Sequence, residues 1–198
     1  MIGKMLRQKV TEALFFPVAR FFTFLTPNQV TALTYPIVFI ALYFIIANDF
    51  LLAFVFILLS SFIDNLDGAV AKLTKRQSAV GSFFDAFTDR MQELIILAGF
   101  AYIGYSFEAF LAISGSFLIS YAKARAEMVK PLGNPDWPSI GERAERLLLV
   151  MAGTLTAAFY PQLWGYQTIS LMLYALALTT FIGAFQRFLF ALKILGRP

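Results

Sequence analysis

Cysteine and histidine are both missing from the 198 residues. That excludes disulfides, thiolate nucleophiles, imidazole bases and His- or Cys-bound metals. Acid–base chemistry is left to Asp, Glu, Lys or Tyr. A metal site must be built from oxygen, which selects a hard cation such as Mg²⁺ or Mn²⁺. Charge is scarce as well. Asp, Glu, Lys and Arg make up 14% of the chain, against roughly 25% in a soluble domain. What is abundant is hydrocarbon: 59% of residues are hydrophobic and the mean hydropathy is +0.72. This composition points to a bilayer. The net charge of +4 on such a chain reads as a record of topology and anionic lipid, with no nucleic acid among the expected partners. The opening residues do not read as a signal peptide, because they lack an uninterrupted apolar core and a small-residue cleavage site.

Residues 2–24 set Met5, Val10, Leu14, Val18, Phe21 and Phe22 against Lys4, Arg7, Lys9 and Arg20. The pattern predicts a basic amphipathic helix lying in the membrane interface. Six apolar stretches follow, at about 31–47, 50–72, 80–103, 107–129, 142–160 and 166–190. Each is near the ~20 residues that cross a bilayer, and the breaks between them are short and rich in turn residues. The expected fold is therefore an all-α integral membrane protein. It has one domain over 1–198: the interfacial helix, then a six-helix transmembrane bundle over 31–190. Under that count every Lys and Arg falls on one side, and the three remaining connections carry Asp49 and Glu108. By the positive-inside rule both termini face the cytoplasm, as for a multi-pass plasma-membrane protein.

Against this background the carboxylates stand out. The run 50–62 reads FLLAFVFILLSSF, yet Asp64 and Asp67 follow at once. Their i, i+3 spacing gives them one helix face, and Asp85 and Asp89, at i, i+4, share a face on the next helix. A short antiparallel connection brings all four to a similar depth. Four acidic groups converging in a low-dielectric bundle repel unless divalent cations sit among them, so one or two Mg²⁺ or Mn²⁺ ions are expected. Gly68, Ala71 and Gly81 clear space beside them, and Lys72 is placed to meet a phosphate. Hard metal and phosphate together indicate phosphoryl-type transfer.

Asp64-x-x-Asp67-Gly68-x-x-Ala71-Lys72, eight further residues, then Gly81-x-x-x-Asp85-x-x-x-Asp89 resembles the signature of the CDP-alcohol phosphotransferase family. The family pattern usually has Arg where this chain has Lys72, which keeps the charge and gives up the bidentate fork. The six-helix layout resembles the family too. The resemblance implies displacement of CMP from a CDP-linked lipid, CDP-diacylglycerol or CDP-archaeol, by an alcohol. It implies Asp64, Asp67, Asp85 and Asp89 as ligands of two metal ions, and Asp89 as the catalytic base as well. Gly68, Lys72 and Ser78, with the NQVT segment Asn28, Gln29, Val30 and Thr31, are implied to hold the CDP part. That segment also reads as a helix N-cap before the first span. The family further implies a homodimer among membrane lipids.

The remaining basic residues bear on the acceptor. SYAKARAE (120–127) and GERAERLLL (141–149) resemble the members that use inositol phosphate, the phosphatidylinositol-phosphate and archaetidylinositol-phosphate synthases. The resemblance implies that Lys123, Arg143 and Arg187 bind the acceptor's phosphate. Arg146 shares a helix face with Arg143 and joins the expected cluster. The plainer reading is of topology signals and snorkelling side chains, with Glu127, Glu142 and Glu145 as neutralising partners. Glycerol 3-phosphate is the alternative acceptor, and a cation channel or transporter the alternative class.

Overall fold

The computed structural model describes residues 15–131, 137 and 139–196. Most of the amphipathic helix expected over 2–24 lies outside the described residues. Its end is seen: residues 15–19 are helical and Arg20–Phe22 form a 3₁₀ turn. Phe15 packs on Phe62, with ring centroids 5.2 Å apart, while Phe21 and Phe24 are exposed.

The chain then runs through α1 (Pro27–Ala32), α2 (Thr34–Ile46), α3 (Phe50–Thr74), α4 (Ala79–Phe100), α5 (Ser106–Val129), α6 (Arg143–Phe159) and α7 (Thr168–Leu195). The first expected span is thus two helices. Pro36 has no N–H to give the Ala32 carbonyl, and its ring crowds that carbonyl, so the helix breaks at Leu33. The cap is Thr26, whose Oγ1 accepts from Gln29 N while Gln29 Oε1 accepts from Thr26 N at 2.8 Å.

Among the described residues, four stretches are long and apolar enough to cross a membrane: Pro27–Ile46, Phe50–Thr74, Ala79–Val129 and Thr168–Leu195. The third, of 51 residues, contains both α4 and α5. A π-turn over Ala101–Tyr105 contains Gly104 at φ +110°, and the chain doubles back there. The bond from Ser116 to Glu93 joins residues equally far from this bend, so α4 and α5 are antiparallel. With 17 residues, α6 is at the short end of the roughly 17–25 that cross a hydrocarbon core. Between α6 and α7 the residues read as a turn form a small antiparallel hairpin, Gln162–Leu163 with Tyr166–Gln167. Trp164 and Gly165 both have positive φ at its tip, as a two-residue hairpin turn of that twist requires. This is the one departure from all-α structure among the described residues.

The main core gathers Val38 and Ile45 from α2, Ile57 from α3, Phe100 from α4 and Leu173 and Leu176 from α7. Ser170 bonds Glu108 at one end of the α5–α7 pair, and Arg187 bonds the Ile119 carbonyl at the other. Both numbers rise together, so α5 and α7 run parallel. Consequently the α3–α4 turn, the ends of α5 and α7 and the start of α6 all meet at one end of the bundle. Outward-facing Phe39, Val55, Leu58, Phe117 and Phe185 are exposed, which suits a surface solvated by lipid.

Candidate active site

A four-residue connection, Lys75 to Ser78, joins α3 to α4. It sets Asp64 opposite Asp89 and Asp67 opposite Asp85. Asp64, Asp85 and Asp89 each bring one carboxylate oxygen to within 4.8 Å of the others. Asp67 sits beside this trio, buried, with its Oδ2 accepting from the Thr31 hydroxyl. The four carboxylates therefore split into a tight trio and a neighbour, where their spacing predicts one equal cluster.

Asp64 is only 2% exposed, so its charge needs partners within the protein. Arg143 Nη2 pairs with its Oδ2 and also lies 2.6 Å from Asp89 Oδ1. Gln92 Nε2 donates to Asp64 Oδ1 at 2.9 Å and to Thr34 Oγ1 at 3.1 Å, while Ser60 donates to Gln92 Oε1 at 3.2 Å. A buried polar relay thus orients Asp64 from behind, as second partners orient metal-ligating carboxylates. Sequence reasoning missed Gln92, Thr34 and Ser60. One signal was available: Gln92 continues the Asp85–Asp89 face at i+7 and i+3. The donor set fits a hard divalent cation. It holds oxygens alone, it is largely withdrawn from water, and one guanidinium among three carboxylates leaves the group short of positive charge.

A cleft of about 310 Å³ opens beside Asp67 and Asp85. Asn28, Thr31, Gly68, Lys72 and Ser78, all expected to hold the CDP part, line it. A Cβ added at Gly68 would meet nothing within 4 Å among the described residues, which suits its place in the wall of the cleft. Ser78 caps α4, its Oγ accepting from Gly81 N at 3.0 Å. The structure turns Gln29 and Val30 elsewhere. Gln29 completes the Thr26 cap, and Val30 is fully buried against Leu66 and Val70. Arg76, Gln77 and Ser82 also line the cleft and were not singled out from sequence, because a turn without periodicity gives no facing information.

A second, smaller cavity of about 40 Å³ lies between α3, α4 and α6, with Asp89, Gln92, Glu93, Arg143 and Arg146 in its wall. Arg143 is thereby brought to Asp89, while Arg146 lies in the same wall against Glu93. Arg187 stands apart from this wall: its Nη1 donates to the Ile119 carbonyl at 2.9 Å and its Nη2 lies 3.5 Å from Glu142 Oε1. Its Nε is buried with no hydrogen-bond partner among the described residues. Lys123 follows Ile119 by one turn of α5. Glu142, one of the acidic residues expected as a neutraliser, thus pairs with Arg187, whereas Arg146 is engaged by Glu93.

Comparisons with known proteins bear on the family and the fold. The family model described as CDP-alcohol phosphatidyltransferase matches residues 24–185. The archaetidylinositol phosphate synthase of Pyrococcus horikoshii is 30% identical over 166 residues, 82% of this chain and 81% of that protein. Two crystal structures of the Mycobacterium tuberculosis phosphatidylinositol phosphate synthase are similar in fold. The one with CDP-DAG bound has a TM-score of 0.78 at 26% identity, over 91% of this chain and 94% of the other. The one with manganese and citrate has a TM-score of 0.76 at 27% identity, over 91% and 89%.

Proposed function

This chain belongs to the CDP-alcohol phosphatidyltransferase family, and from that premise we propose that it joins inositol phosphate to a CDP-linked lipid with release of CMP. It is a multi-pass membrane enzyme that depends on a divalent metal. The observation that carries the reading is on α4. Asp85 lines the large cleft and Asp89, one turn on, lines the small cavity beside Arg143. A donor in the cleft and an acceptor at the arginines therefore meet across the carboxylate cluster.

The acceptor hydroxyl oxygen bonds to the lipid-bearing phosphorus of the CDP-lipid. The bond from that phosphorus to the CMP oxygen breaks, and CMP leaves with the electron pair. Asp89 takes the hydroxyl proton. Arg143, with Lys123 and Arg187, holds the acceptor's own phosphate by charge-assisted bonds. Asn28, Thr31, Gly68, Lys72 and Ser78 hold the nucleotide. Two Mg²⁺ or Mn²⁺ ions held by Asp64, Asp67, Asp85 and Asp89 supply, when bound, the positive charge that the diphosphate needs in transfer. Gln92, from behind, keeps Asp64 aimed at that position.

The test is CMP release by the purified protein, with CDP-diacylglycerol or CDP-archaeol and a panel of acceptors. Inositol phosphate is expected to exceed glycerol 3-phosphate in kcat/KM by about tenfold or more, since a site that pairs polar groups rejects what leaves them unpaired. A preference for glycerol 3-phosphate overturns the acceptor assignment, and absence of CMP release overturns the transferase.

The proposal includes six spans, both termini and the active site on the cytoplasmic side of the plasma membrane, and a homodimer. The one-sided placement of Lys and Arg supports the orientation. In intact cells Asp49→Cys is expected to react with an impermeant thiol reagent and Lys75→Cys to resist it; equal labelling of both refutes the topology. A monomer mass by light scattering in detergent refutes the dimer.

A further inference from the structure

Glu93 follows Asp89 by one turn on α4, and the chemistry above does not use it. Its carboxylate is nevertheless saturated by donors from three helices. Arg146 Nε donates to Oε1 at 2.7 Å and Arg146 Nη2 to Oε2 at 3.0 Å. Ser116 of α5 donates to Oε1 at 2.6 Å, and Arg90 Nη1 to Oε2 at 2.9 Å. Arg146 is 4% exposed, and its Nη1 donates to the Gly141 carbonyl at 2.6 Å. All three nitrogens of Arg146 are therefore spent within the protein.

Gly141 is the turn that opens α6, with φ +70°. Its N–H donates to Glu145 Oε2 at 2.7 Å, and Ile140 N donates to Gln186 Oε1 at 2.9 Å. The turn lies close against α7: a Cβ added at Gly183 would come within 2.0 Å of the Ile140 carbonyl oxygen. The next two residues are Glu142, facing Arg187, and Arg143, facing Asp64 and Asp89. Whatever holds the Gly141 carbonyl thus sets where Arg143 stands.

We propose that Glu93 is a positioning residue: by clamping Arg146 against the Gly141 carbonyl, it fixes the start of α6 and holds Arg143 beside Asp89 to receive the acceptor's phosphate. In this arrangement Arg146 is a strut and not a phosphate ligand. The inference rests on the acceptor reading above. Physical reason favours it, because a buried ion pair adds little net stability over apolar packing, whereas a guanidinium fork fixed on two oxygens is directional.

The sign of one effect separates the two roles for Arg146. Were Arg146 a phosphate ligand, Glu93 would compete with the substrate, and Glu93→Gln would lower the acceptor KM. As a strut released by Glu93→Gln, it raises that KM by about tenfold or more and leaves the CDP-lipid KM within about twofold. Because an unpaired buried charge can unfold a protein, the matched pair Glu93→Met with Arg146→Met is measured alongside, as apolar replacement of both partners is tolerated. It is expected to melt near the parent and to show the same raised acceptor KM. Arg146→Lys, which keeps the charge without the fork, is expected to fold and to raise it too. A lowered or unchanged acceptor KM in any folded member of this set overturns the proposal. The parent enzyme is assayed first with inositol phosphate and with glycerol 3-phosphate. Failure with inositol phosphate overturns the acceptor assignment alone, and the KM comparison then uses the acceptor that turns over.

Discussion

Asp89→Asn is expected to lower turnover by about 10²–10⁴-fold, the range for loss of a general base, while CDP-lipid binding persists. The carboxamide keeps the shape of the side chain and removes its charge. Asp89 lines the small cavity with Arg143 and not the large cleft, so the donor loses no direct contact. Mn²⁺ binding, followed by electron paramagnetic resonance, separates base from ligand. As one of four carboxylates, Asp89 contributes part of the metal affinity, so that affinity falls far less than turnover does. Turnover within tenfold of the parent would remove Asp89 from the role of base. An equal fall in turnover and metal affinity would reduce it to a ligand.

Stripping the divalent metal with a chelator is expected to end CMP release, a loss of about 10³-fold or more, since such an ion supplies several kcal/mol of charge stabilisation in transfer. Mg²⁺ or Mn²⁺ should restore it. The stripped protein should keep its helical circular dichroism and melt close to the loaded form. Arg143 is already paired with Asp64 and stands beside Asp89, and Gln92 bonds the other oxygen of Asp64. The cluster therefore has counter-charge and hydrogen bonds without the ion, and the apolar core lies elsewhere, around Ile57, Phe100 and Leu173. Activity that survives exhaustive chelation would rule out the metal-dependent reading. Collapse of the fold would show the ion to be structural.

Several features needed only the order of residues. Without cysteine or histidine, any metal chemistry here is oxygen chemistry, whatever the fold. The carboxylate trio was legible for a second reason: Asp64, Asp85 and Asp89 lie within one helical hairpin. Helical periodicity sets their faces and a four-residue turn sets the pairing, so few global choices remain. Gly68, Lys72 and Ser78 follow from the same hairpin, and the structure lines one cleft with them.

What lay beyond the sequence involves distance along the chain or rotation about a helix axis. Periodicity says which residues share a face, but in a helix that is apolar all round it does not say which neighbour that face meets. Arg143 reaches Asp64 across 79 positions, Arg146 reaches Glu93 across 53, and Gln92 reaches Thr34 across 58. Arg143 and Arg146 look equivalent on one face of α6, yet one is turned to the carboxylate trio and the other to Glu93. That choice was made by the Gly141 turn packing on α7 and by Ser116 and Arg90 converging on the same carboxylate. The break between the stretches read at 80–103 and 107–129, by contrast, was legible in its turn residues, and Gly104 adopts positive φ there. Local spacing therefore determined the chemistry of this protein, and long-range packing decided which of its cations face the site.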